Sequence, residues 1–158
     1  MTKASRVLLA GRVNATPARA FAAFTQEIGQ WWRPNGLFQF TRGRNGVLSF
    51  EAGPKRRLIE TYEDGTVFVI GDVHVWEPPR RLVVTWHQES FGPDQSTELH
   101  VRFEEAGEQT RVTVEHFGWD SIPQRHAARH GFPLATFQLR FAEWWQDLLR
   151  NLRDRVSS

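Results

Sequence analysis

Cysteine is absent from this sequence. That excludes disulfides, thiolate metal ligands and a cysteine nucleophile. Long apolar runs are also missing, and no stretch approaches the twenty or so residues of a membrane span. The first residues, Met1 to Arg6, lead straight into a strand pattern without the apolar centre of a signal peptide. A cytoplasmic address is the expectation. Charge of one sign is scarce as well, at a net +2. The basic groups Arg42/Arg44, 55–57 and Arg80/Arg81 are interleaved with Glu51, Glu60, Glu63 and Asp64. They read as solvated surface, and no nucleic-acid partner is expected. There is no Gly-x-Ser-x-Gly elbow, no phosphate-cradling loop and no dinucleotide fingerprint. Internal repeats, low-complexity tracts and linkers are lacking too.

What is present is an ordinary globular composition, 40% apolar and 24% charged over 158 residues. One domain spanning 1–158 is expected. Its organising element lies near the C-terminus, over residues 133–156. At helical period, Phe137, Phe141, Trp144, Trp145, Leu148 and Leu152 share one broad face. Arg140, Glu143, Asp147, Arg150 and Asp154 share the other. Pro133 stands where a helix can begin. Such a helix is a rod of roughly 30 Å, long enough to cross a sheet. Its bulky aromatic side chains suit a concave partner.

Upstream, residues 6–14 alternate as a first strand. Thr16 and Pro17 then open a helix as N-cap and first residue, with Phe21, Phe24, Ile28 and Trp31 on one face and Gly29 as a break. From 38 to 117 the period is two. Strands are predicted over 38–42, 47–52, 56–61, 66–76, 81–88, 96–104 and 110–117, joined by turn-rich separators in an antiparallel meander. Leu82, Val84 and Trp86 share one face, as do Leu99, Val101 and Phe103, and Val112, Val114 and His116. The opposite face carries Glu98, His100, Arg102, Arg111, Thr113 and Glu115. One dry and one wet face suit a sheet covered on one side. A short helix is predicted over 122–130, closing at Gly131. The class is α+β.

This order, with the residues from Val13 to Phe21, Trp31-Trp32, Gly71 to Trp86, Thr110 to His116 and Trp144-Trp145, resembles the START-like superfamily. It is also called SRPBCC, helix-grip or birch-pollen-allergen-like. Within it the chain looks like the AHSA branch, related to the activator of the heat-shock-chaperone ATPase. Where that family often has a paired glycine before its third strand, only Gly46 stands here. The resemblance implies a curved antiparallel sheet of about seven strands around the long C-terminal helix, with two short helices after strand 1. It also implies a gap between helix and sheet that takes an apolar or amphipathic small molecule.

Trp31, Trp32, Phe50, Trp86, Phe137, Phe141 and Trp145 are the candidate lining of that gap. They either fill it or surround a ligand. His116 continues the inward parity and reads first as a core histidine hydrogen-bonded at the sheet's end; the alternatives are a ligand anchor, or an acid/base beside a carboxylate. His74, His87 and His100 are expected to point outward. His126 and His130, four apart on the predicted helix, have metal-ligand spacing, but no third ligand stands near them and no metal is expected. Glu51, Glu60 and Glu63 read as solvated strand edges. Three functions stay open: a domain binding an apolar or aromatic ligand without a cofactor, a cyclase- or hydrolase-type enzyme using His116, and a co-chaperone-like interaction protein. A homodimer could form through aromatics such as Trp76.

Overall fold

A computed structural model describes residues 5–54 and 56–157. Lys55, counted above in a basic cluster, and residues 1–4 lie outside the described residues. Strand β1 (Arg6–Val13) turns Val7, Leu9 and Val13 into the core and Leu8, Ala10 and Arg12 outward. Thr16 caps α1 (Pro17–Gln26), its Oγ1 accepting from Arg19 N at 3.2 Å. The chain breaks at Glu27 rather than at Gly29, and α2 (Ile28–Trp31) follows. Both Arg19 and Arg155 hold the Glu27 carboxylate, which ties the end of α1 to the last turn of the C-terminal helix.

The meander comprises β2 (Val47–Phe50), β3 (Arg57–Thr61), β4 (Val67–Glu77), β5 (Arg81–Trp86), β6 (Thr97–Ala106) and β7 (Gln109–Phe117). With β1 these form one antiparallel sheet of seven strands, in the order β1-β7-β6-β5-β4-β3-β2. β4 carries two register shifts, one against β3 near Leu58 and one against β5 near Val73. Bulges of this kind bend a strand and increase its twist. The sheet curls accordingly, and its dry face is concave. In that concavity lies α3 (Leu134–Ser157), which buries the predicted stripe together with Leu149. The charged residues of its other face are exposed.

Several local expectations are corrected. Residues 38–42 are not a strand; only an isolated bridge, Thr41 to Arg44, forms there. Their period of two is real, because Phe38 and Phe40 are both buried. The backbone, however, is satisfied by side chains: Asn35 Oδ1 accepts from Leu37 N and Phe38 N, and Gln88 Nε2 donates to Gln39 O. Residues 122–130 are not a helix. Two short 3-10 turns, Trp119–Ser121 and Ala127–Arg129, stand instead. Pro123 holds Ile122 extended, and His126 is extended as a cap. His126 and His130 therefore share no helical face. Their Nε2 atoms lie 3.0 Å from Ser90 O and 2.5 Å from Leu37 O. Among the described residues no three His, Asp or Glu side chains gather as metal ligands.

Glu60 is not a solvated edge. It is 3% exposed, shares the inward parity of Leu58, and accepts from Gly46 N at 3.0 Å and Tyr62 Oη at 2.7 Å. Position 46 needs glycine because a Cβ there would meet Thr61 O at 2.5 Å. His87 is half-buried, with Nδ1 3.0 Å from Ile70 O, because its backbone N also reaches that carbonyl. Trp76 is half-buried between Phe21 and Phe50 beneath the Arg56 guanidinium. Among the described residues no helix is long and apolar enough to cross a membrane.

Candidate functional site

Five segments deliver aromatic rings into one space between α3 and the sheet. β5 ends its dry face on Trp86, and β7 ends its own on His116, paired in register with Leu99 and Val7. The turn after β7 adds Trp119. The segment after α2 adds Trp32, Phe38 and Phe40. From above, Phe137, Phe141 and Trp145 descend at successive turns of α3. His116 is the hub, with ring centres 5.0 Å from Trp86, 4.9 Å from Phe141 and 5.2 Å from Trp119. Trp32 links this group to the other end, 6.1 Å from Trp86 and 5.3 Å from Trp145.

Of the predicted lining, Trp31, Trp32, Trp86, His116, Phe137, Phe141 and Trp145 belong to this connected set. Phe50 does not. It is half-buried beside Trp76 in a separate groove under α1. Trp145 meets Phe24 of α1 as well as Trp32, so short helices as well as the sheet wall this space. Sequence reasoning missed Phe38, Phe40, Thr97 and Trp119. Phe38 and Phe40 carried a signal in their alternation. Trp119, outside any periodic element, carried none.

The rings fill the space they enclose. The gap bounded by Phe38, Phe40, Trp86, Phe141 and Trp144 has no room for a water-sized sphere. Just outside it lies an open cleft of about 360 Å3. The cleft runs between residues 36–42, the 88–90 loop and the 127–130 turn, and it shares Gln39, Phe40 and Gln88 with the closed gap. Phe40 and Gln88 thus separate a solvent cleft from the aromatic interior.

Polar atoms in this interior are of two kinds. Trp31 Nε1 donates to Ala23 O and Trp144 Nε1 to Arg33 O, both at 2.9 Å. The Nε1 atoms of Trp86, Trp119 and Trp145 are buried without a hydrogen-bond partner among the described residues, as is His116 Nδ1. Native interiors leave few such groups, and each costs about 1–3 kcal/mol.

His116 Nε2 lies 2.7 Å from Thr97 Oγ1, whose hydroxyl is 3.5 Å from Trp86 O. If the hydroxyl donates to that carbonyl, Nε2–H donates to Oγ1 and Nδ1 is left as an acceptor. Burial, and secondarily the charge on His100, lower the His116 pKa to about 3. The imidazole is therefore neutral at physiological pH. The adjacent Glu115 faces the outer side, paired with Arg102 at 2.6 Å and Arg6 at 3.4 Å. His116 thus lacks the carboxylate that an acid/base pair requires.

This burial has a measurable consequence. The unfolded imidazole gains its proton near pH 6.5 and the folded one near 3, so the unfolded chain binds more protons between those values. Stability falls as pH falls through that window, by about 1.4 kcal/mol per pH unit from this group. Urea unfolding between pH 7 and 4.5 is expected to show a slope shallower by that amount in His116→Gln. Equal slopes would show that His116 is not the buried titrating group.

Residues 14–157 match the family model described as Activator of Hsp90 ATPase homolog 1-like protein. Among solved structures, the chain is similar to DynU16, a protein in the dynemicin biosynthetic locus. They share 20% identity at a TM-score of 0.66, over 97% of this chain and 47% of that one. This chain thus spans about half of DynU16. It is similar to protein MLL2253 from Mesorhizobium loti, at 18% identity and a TM-score of 0.62, over 96% and 98% of the two chains. It is also similar to Txn09, an anthrahydroquino-gamma-pyrone synthase solved as a complex. There the identity is 25% and the TM-score 0.56, over 98% and 99% of the two chains. No curated protein matches the chain in sequence.

Proposed function

The chain belongs to the family of Activator of Hsp90 ATPase homolog 1-like proteins, and within it we propose that this protein binds a flat, aromatic, oxygen-bearing small molecule between α3 and the sheet. One observation carries the proposal: three indole N–H groups and one imidazole nitrogen lie buried and unpartnered among contacting rings. Carbonyl oxygens on a planar ligand would accept from the indoles, and a hydroxyl would donate to His116 Nδ1. The rings supply the faces on which such a molecule stacks. Each 100 Å2 of apolar surface taken from water contributes about 2.5 kcal/mol. The likeness to an anthrahydroquino-gamma-pyrone synthase supports the same ligand class.

Access runs through the outer cleft. The segment over 36–42 makes no ladder with the sheet, so displacing it breaks few backbone bonds, among them Glu89 N to Phe40 O. Moving Phe40, which packs on Trp86 at 4.7 Å, would join the cleft to the interior. His116, neutral and without a carboxylate, is suited to making one hydrogen bond rather than shuttling protons. The outer sheet face, by contrast, holds Glu115 in ion pairs with Arg102 and Arg6.

Calorimetric titration with 1,8-dihydroxyanthraquinone is expected to give saturable 1:1 binding. Trp86→Phe keeps an aromatic ring there and loses the N–H, and should weaken binding by about tenfold. Absence of saturable binding to the wild-type protein would overturn the proposal.

A further inference from the structure

One buried group near the chamber stays unexplained by an uncharged ligand. Arg129 is 4% exposed. Its guanidinium donates to Ile122 O and Phe132 O, each at 2.7 Å, and its Nε has no partner. No ion pair with a carboxylate of the described residues balances its charge. A buried cation is ordinarily paired, because removing it from water is costly. Two carbonyl dipoles answer two of its donors and leave the charge itself unmatched. Burial accordingly holds its pKa below the ordinary arginine value.

The position of this cation gives it meaning. Its Cζ lies 5.5 Å from the ring centre of Phe137, in the first turn of α3. Trp119, with its own unpartnered N–H, packs on that ring at 4.7 Å. Pro133 precedes the helix, and the first turn of α3 holds no acidic residue. The positive end of the helix dipole, the guanidinium and the Trp119 ring therefore lie together at one end of the aromatic interior. The residues flanking Arg129, Ala128 and His130, line the outer cleft.

We infer that the chamber's ligand is an aromatic carboxylate whose anionic group pairs with Arg129 at the N-terminal end of α3. The inference rests on the chamber reading above and adds the charge of the ligand to it. Nε–H and the adjacent edge of the guanidinium receive the carboxylate, while the ring system stacks toward His116 and Trp86. The two bonds to Ile122 and Phe132 are kept, and they aim the group.

Two matched probes test it, anthraquinone-2-carboxylate and anthraquinone-2-carboxamide, titrated calorimetrically at pH 7.5. The carboxylate is expected to bind the wild-type protein at least about tenfold more tightly, the order of a charge-assisted pair over a neutral one. Arg129→Met should abolish that preference, and Arg129→Lys should keep part of it. Arg129→Met also removes two carbonyl bonds and could unfold the turn. A readout on the wild-type protein therefore stands beside it: the Arg129 Nε–H resonance should move downfield with the carboxylate and not with the carboxamide. Equal affinity for both probes, or an unmoved Nε–H, overturns the inference and leaves the chamber reading standing. A preference that survives Arg129→Met overturns it also, by placing the anchor elsewhere. Binding of neither probe removes the chamber reading and this inference together.

Discussion

Trp145→Ala is expected to lower the unfolding free energy by about 3–5 kcal/mol, the cost of emptying a large site in a packed core. A helix lining a ready-made cavity would lose markedly less. Trp145 is fully buried, its ring stacked on Phe24 at 6.3 Å and edge-on to Trp32 at 5.3 Å. The neighbouring gap holds no space for a water-sized sphere, so its removal leaves a true void. Trp145→Phe is the informative control. It keeps most of the packing and deletes an N–H that has no partner, so it should cost well under half as much. Trp31→Phe also deletes an N–H, but one that donates to Ala23 O, and it leaves that carbonyl unsatisfied. Chemical denaturation of the three variants separates these cases. A loss of only about 1 kcal/mol in Trp145→Ala would mean that the interior is already open.

Gly71→Ala is expected to be at least as damaging, on the order of 4 kcal/mol or more, and to abolish cooperative folding. Gly71 lies between the two register shifts of β4, facing Leu58 on one side. A Cβ there would fall inside the Thr85 carbonyl group of β5. That obstacle is backbone, so no rotamer change relieves it. The strand must either straighten or leave β5, and straightening would flatten the concavity in which α3 sits. A Gly71→Ala protein with wild-type stability would contradict this account of how the sheet curls.

The physics explains which parts of this were legible in the sequence. α3 was readable because its apolar stripe is periodic over about four turns, and the strands of the meander because one face is dry and one wet. Periodicity records which side of a segment is buried; it does not record where the backbone finds its hydrogen bonds. Residues 38–42 alternate like a strand while Asn35 and Gln88 supply their bonds. Glu60 shared its parity with Leu58, and that signal would have placed it inside. Phe50 followed the same logic to the wrong groove, since inward parity at the edge strand β2 leads to Trp76 rather than Trp86. Trp119 and Arg129 were out of reach. Both sit in turns without a period, and burial of Arg129 depends on carbonyls at Ile122 and Phe132 that only the folded loop presents.

The central claim is that the unpartnered indoles await acceptor atoms on a ligand. It is tested most directly by following five of the seven indole N–H resonances, those of Trp31, Trp86, Trp119, Trp144 and Trp145, in a 15N-labelled protein as 1,8-dihydroxyanthraquinone is added. The resonances of Trp86, Trp119 and Trp145 should move downfield with saturation, while those of Trp31 and Trp144, already bonded to Ala23 O and Arg33 O, stay nearly fixed. All five unmoved, or only Trp31 and Trp144 shifted, would contradict it.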